Sequence, residues 1–128
     1  MGNLMSTIKA NDLQTTTGGI PTVKGQRLIP TAWVNFNGTG TVAIRDSENV
    51  SSITDNGTSD YTVTFSTAMA NVNFSAVAST GYSGTNPSNK SIAAHPTNTT
   101  SVRLEIYNTS GVKEDLDYVG VIILGGQA

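Results

Sequence analysis

Between residues 61 and 66 the chain alternates without a fault: Tyr61, Val63 and Phe65 are apolar, and Thr62, Thr64 and Ser66 are small and polar. Side chains two apart share one face of an extended strand, so this is the pattern of a strand with one face buried and the other in water. The preceding Asp55-Asn56-Gly57-Thr58-Ser59-Asp60 consists of turn-forming residues, and Val50 to Thr54 before it is a second strand-like run. Together these segments predict a β-hairpin. No helical period lasts more than a turn anywhere in the sequence, Thr67 to Asn71 being the nearest approach.

The same text continues on both sides. Ala32 to Phe36 and Thr41 to Ile44 flank the turn Asn37-Gly38-Thr39-Gly40, and Val72, Phe74, Ala76 and Ala78 alternate with Asn73, Ser75 and Ser79, although Val77 interrupts the polar face. A short strand is expected around Ser91 to Ala94, then another over Ser101 to Tyr107 with Val102, Leu104 and Ile106 facing inward. Thr, Ser, Asn and Gly make up more than two fifths of the chain, and these residues favour turns and sheets over helices. The expectation is an all-β fold, an antiparallel, jelly-roll-like β-sandwich of about seven or eight strands, with Trp33 and Tyr61 in the core.

The last strand, Tyr118 to Leu124, differs from the rest because Val119, Val121 and Ile123 are apolar and so are Tyr118, Ile122 and Leu124. Both faces are expected to be buried. In a thin two-sheet domain the second face needs a cover, and an identical subunit is the simplest one. This predicts a homotrimer, with Val119, Val121 and Ile123 at the interface.

Residues 1–31 read differently. Leu4, Ile8, Leu13, Ile20, Val23, Leu28 and Ile29 follow no sustained period, and Gly18-Gly19, Pro21 and Pro30 break them up. Such a segment cannot bury enough surface alone, so residues 1–31 are expected to form an extended arm that lies against another chain, and residues 32–128 a β-sandwich module.

At 128 residues the chain has the size of one domain. It has no cysteine, which removes disulfides, thiolate metal sites and a thiol nucleophile. A net charge of -2 without a Lys/Arg cluster argues against nucleic acid and anionic membranes as partners. No apolar run reaches the roughly 18 residues needed to span a bilayer, and the start MGNLMSTIKANDL lacks a basic region followed by an apolar core, so membrane insertion is not expected.

The chemistry-bearing residues are few. His95 is the single histidine, beside Pro96 in an expected polar loop, and a histidine-based metal site or triad would depend on it alone. Asp55, Asn56 and Asp60 are oxygen donors around a turn, but without EF-hand spacing they read as ordinary turn residues. Glu114, Asp115 and Asp117 could be paired carboxylates for glycoside hydrolysis or simply a solvated loop. The glycine pairs lack the lysine and helix of a phosphate loop. No catalytic group, cofactor or metal is therefore expected. Tyr82 stands apart: it lies in the Gly81 to Pro87 segment, which is small, polar and broken by Gly and Pro, and no alternating pattern assigns it to a core. Tyr82, Ser83 and Asn86 are the candidate contacts of a recognition surface.

The run AWVNFNGTGTVAIRDSENVSSITDNGTSDYTVTFSTAMANVNFS, residues 32–75, resembles a segment that recurs in tail-fibre and other virion structural proteins of marine tailed phages, cyanophages included. The likeness is nearly position for position over Trp33 to Arg45, Asn49 to Thr58 and Asp60 to Phe65. Met5-Ser6-Thr7-Ile8-Lys9, Asn11, Leu13-Gln14 and Gly18-Gly19 are similar to the N-termini of many such proteins, and Met5 is an alternative native start. The resemblance implies a virion protein, made in the host cytoplasm, with an arm that attaches to other virion proteins and a distal β-module that meets host-surface polysaccharide or protein. Tail fibre, distal tip and capsid surface all use such modules, so a capsid decoration or head-fibre role stays open beside receptor binding, with a polysaccharide depolymerase as the enzymatic alternative. Two positions depart from the family pattern: Glu48 stands where an aromatic is frequent, which implies an absent or reshaped apolar contact, and Ser59 replaces the usual glycine of the hairpin turn.

Overall fold

The computed structural model of the chain describes residues 10, 12–19, 21–23, 26–27, 29–84 and 90–127. These residues contain strands and turns and no helix, the bends at Ser66 to Asn71 included. Ahead of the main body lie a turn closed by the Gly18 amide on the Thr15 carbonyl (2.9 Å) and a short antiparallel ribbon of β1 (Thr22–Val23) and β2 (Gln26–Arg27). Residues 1–9 and 11, and with them Met5 to Lys9 and Asn11 of the N-terminal likeness, fall outside the described residues.

The main body has eight strands: β3 (Ala32–Asn37), β4 (Ala43–Glu48), β5 (Val50–Gly57), β6 (Asp60–Phe65), β7 (Phe74–Gly81), β8 (Lys90–Asn98), β9 (Ser101–Asn108) and β10 (Tyr118–Gly125). They form two antiparallel four-stranded sheets, in the orders β4-β3-β10-β7 and β5-β6-β9-β8. This is the expected sandwich, but its winding is not that of a jelly roll. A rolled-up ribbon pairs the first strand with the last, the second with the second-last, and so on. Here β3 does pair with β10, whereas β4 and β9 belong to different sheets and β5 and β8 are opposite edges of one sheet.

The core follows from strand parity. The two central strands of each sheet each supply three buried apolar side chains: Ala32, Val34 and Phe36 from β3, Val119, Val121 and Ile123 from β10, Tyr61, Val63 and Phe65 from β6, and Val102, Leu104 and Ile106 from β9. A large apolar side chain fully buried contributes roughly 1.5–3 kcal/mol, so these four strands hold most of the hydrophobic stabilisation. Phe36 meets Tyr61 edge-on with ring centroids 5.2 Å apart, and Phe65 meets Phe74 in the same way at 5.8 Å, tying the sheets together at two levels.

Two expectations are corrected by the same parity. Trp33 cannot share a face with Ala32 and Val34, and it lies half-buried on the outer side of its sheet. Val119, Val121 and Ile123 point into the sandwich and pack on its own core, so they are not free to form an interface between subunits; the exposed face of β10 carries Tyr118, Ile122 and Leu124.

The corners use left-handed backbone. Asn49, between β4 and β5, has φ +54°; its amide donates to the carbonyls of Thr31 (3.1 Å) and Thr67 (3.2 Å), and its Oδ1 accepts from the Thr67 amide (2.7 Å). Ser59, at the tip of the β5-β6 hairpin, has φ +58°, a conformation costly for residues with a Cβ. Ser59 compensates with its hydroxyl, which bonds to the Glu114 carbonyl and accepts from the Glu114 amide (2.7 Å), while its own amide donates to Asp115 (2.6 Å).

Candidate functional site

The polar segment after β7 leaves the sheet where β10 begins, because Gly81 is the cross-strand partner of Tyr118. Tyr82 is 53% exposed. The next residue is held: the Ser83 amide donates to both oxygens of Asp117, at 3.1 and 3.0 Å, and this bond holds the Asp117 carboxyl below its usual range. Asn86, the third expected contact, lies outside the described residues.

Two groups that the sequence reading did not single out join this end of the sheet. Tyr118 is half-exposed, and the Arg45 guanidinium lies 4.3 Å from its ring centre. Arg45 is itself fixed by donating to the Phe36 carbonyl at 2.9 Å. Two exposed aromatic rings and a guanidinium anchored at one edge form a surface on which sugar rings or peptide side chains can stack. The sequence signal for Tyr118 is its parity, shared with Ile122 and Leu124, in a strand apolar on both faces.

The outer face of the same sheet carries an unbroken cross-strand row. Glu48 pairs with Trp33, Trp33 with Ile122, and Ile122 with Val77, so one line of side chains crosses all four strands. Val77 is 63% exposed and Ile122 46%. In the next row Asn35, Gly120 and Ser79 are small, leaving a groove of about 300 Å³ beside Trp33 and Ile122. Glu48 ends the row beside the tryptophan.

The acidic residues do not come together as a catalytic pair. Asp115 accepts from the Tyr61 hydroxyl (2.9 Å) and the Ser59 amide, Glu114 pairs with Lys90, and Asp117 holds Ser83. Burial first, and then the bond to Asp115, push the Tyr61 phenol well above its usual range. A second hollow of about 590 Å³ opens at the opposite end of the sheet, beside Thr31, Glu48, Asn49 and Gln127, with the Asn49 side chain already bonded to its neighbours.

Asp60, one of the oxygen donors around the turn, is buried and receives a two-pronged bond from Arg103, which with a bond from Asn56 holds its carboxyl down at about 2 against some burial cost. Asp55 caps the Gly57 amide at 2.9 Å. Among the described residues no group of three or more His, Asp or Glu side chains is placed to hold a metal ion. His95 is in β8 and not in a loop; it faces outward with its Nε2 3.6 Å from Glu105.

Comparison with protein-family models, with curated proteins and with solved structures gives no match to this chain.

Proposed function

We propose that the chain is a structural protein of a tailed-phage virion, of the tail-fibre or distal receptor-binding type, and that it works by adhesion. What supports this reading is the resemblance of residues 32–75 to a segment of marine-phage virion proteins. In the fold that run forms β3, β4, β5 and β6 and the first residues of β7, two of the four central strands among them.

The arm of residues 1–31 attaches to other virion proteins, and the module stands distal to it. The apolar outer row Trp33, Ile122 and Val77, flanked by Leu124 and Tyr118, is the face that identical subunits cover in a homotrimer, since contiguous apolar patches on a sheet surface are the usual mark of a binding face. The Tyr82 end then meets host-surface polysaccharide or protein. Weak contacts repeated on three subunits and on several fibres give useful avidity from modest affinity.

Antibody labelling of virions in negative stain tests the position, with label expected on the tail fibres or distal tip. Label confined to the head shell would replace this reading with capsid decoration. Purified protein should also compete with virions for adsorption to host cells, and release of new reducing ends from envelope polysaccharide would point instead to a depolymerase.

A further inference from the structure

The sequence contains two Asn-Gly pairs, Asn37-Gly38 and Asn56-Gly57, and the fold treats them in opposite ways. An asparagine before glycine can lose its side-chain amide when the following backbone nitrogen attacks the side-chain carbonyl carbon, because glycine offers no Cβ to obstruct the five-membered ring. Asn37 is locked against this. Its amide donates to the Thr39 and Thr41 carbonyls, its Oδ1 accepts from the Thr39 amide and hydroxyl, and the Gly38 nitrogen, in a buried residue, is held on the Leu116 carbonyl at 3.0 Å.

At the hairpin tip the side-chain amide and the glycine amide are also bonded, but the surroundings differ in exposure, in backbone conformation and in the group that accepts from the glycine nitrogen. Asn56 and Gly57 are exposed, and the register of β5 on β6 slips between Asp55 and Gly57, so Asn56 is the extra residue of a bulge. Gly57 has φ +128°, open to glycine and little else. Its amide, the nitrogen that must attack, donates to Oδ1 of Asp55 at 2.9 Å. The Asn56 amide nitrogen, which must leave, is held by Thr62 Oγ1 at 2.9 Å and Asp60 Oδ1 at 3.2 Å, and the described contacts give its carbonyl oxygen no donor.

We propose that Asn56-Gly57 is a self-modification site, with Asp55 as its built-in general base. The Asp55 carboxylate takes the proton from the Gly57 nitrogen, a bond forms from that nitrogen to Asn56 Cγ, and the Cγ–Nδ2 bond breaks to release ammonia, which carries away a proton. Water then opens the cyclic imide at either carbonyl, giving aspartate or isoaspartate at position 56. Either product changes the tip. A carboxylate replaces the amide that donates to Asp60, setting like charges against each other beside the Arg103 pair, and the isoaspartate also lengthens the backbone by one carbon within the bulge.

The test is to incubate the full chain at mildly alkaline pH and follow it by ion exchange, with peptide mass spectrometry and enzymatic isoaspartyl methylation to place the change. A more acidic form should accumulate with its modification at Asn56, at least about tenfold faster than at Asn37, a barrier difference of about 1.4 kcal/mol. Asp55→Asn keeps the acceptor on the Gly57 amide but removes the base, and it should slow the conversion several-fold without lowering the melting temperature. Equal rates at Asn56 and Asn37, or an unchanged rate in Asp55→Asn, would overturn the assignment.

Discussion

The two outer faces of the sandwich are built on the same strand geometry and finished in opposite ways. On β5-β6-β9-β8 the outward side chains form a ladder that satisfies itself: Arg103 on Asp60, Lys113 and the Tyr107 hydroxyl on Glu105, and His95 beside Glu105. Lys113 and Tyr107 hold the Glu105 carboxyl below its usual range, and Asp60 raises the Arg103 guanidinium. On β4-β3-β10-β7 the outward positions Trp33, Ile122, Val77 and Leu124 leave much apolar area in water, with Glu48, Asn35 and Ser79 beside them. A closed charge network gives a partner little to bind, whereas an open apolar row gains by being covered. The chain thus presents one face whose charges pair with each other and one open apolar face.

The sharpest way to break this comparison is to put the same charge on either side of β10. Val121→Asp buries an unpaired carboxylate among core residues and should unfold the module, at about 3–5 kcal/mol, seen as loss of the cooperative melt. Ile122→Asp, one residue along, should melt within a few degrees of the parent yet abolish self-association in light scattering. A parent that is already monomeric at micromolar concentration would remove the trimer from the argument.

Next in size is Tyr61→Phe, which leaves the Gly38 carbonyl, at 2.7 Å from the hydroxyl, without that donor and takes one from Asp115, for about 1–3 kcal/mol. Because the phenol is raised above its unfolded value of 10.0, its contribution is complete below about that pH and is lost as pH rises past it. The parent should therefore weaken above pH 10 in alkaline melts, and the phenylalanine variant should show a flatter profile.

On the finished face Asp60 gives the acid counterpart. Its carboxyl is lowered from 3.8 to about 2, so its contribution is present above pH 3.8 and disappears as pH falls toward 2. Asp60→Asn should flatten that part of the stability profile. The smallest structural effect is expected of Tyr82→Ala, which should leave the melting temperature within a few degrees and reduce adsorption to host cells. An early melt would show that Tyr82 belongs to the core.

Much of this was legible in the chain. β6 and β9 alternate strictly, so their buried triplets can be read directly. β10 is apolar at both parities, and no local pattern says which set turns inward; that is decided by β3 and β7, its neighbours on either side. The run Arg45 to Glu48 looks too charged for a strand but is tolerated because β4 is an edge. Pro96 likewise hides the end of β8, which is an edge strand with a register slip between Pro96 and Asn98. The hydrogen bonds that bring Asp115 to Tyr61 and Asp117 to Ser83 join residues tens of positions apart, beyond the reach of any short motif.

The placement of Thr31 and Tyr82 at opposite ends of one sheet has a mechanical consequence. Thr31, the residue before β3, is bonded through its hydroxyl to the Gly125 carbonyl at 2.8 Å, at the end of the sheet where Ala32 faces Ile123. Tyr82 leaves at the other end, just past the pairing of Gly81 with Tyr118. Tension between Thr31 and Tyr82 therefore runs parallel to β3, β10 and β7 and shears their hydrogen bonds together instead of opening them one at a time, so this sheet resists a pull along its length far better than one across it.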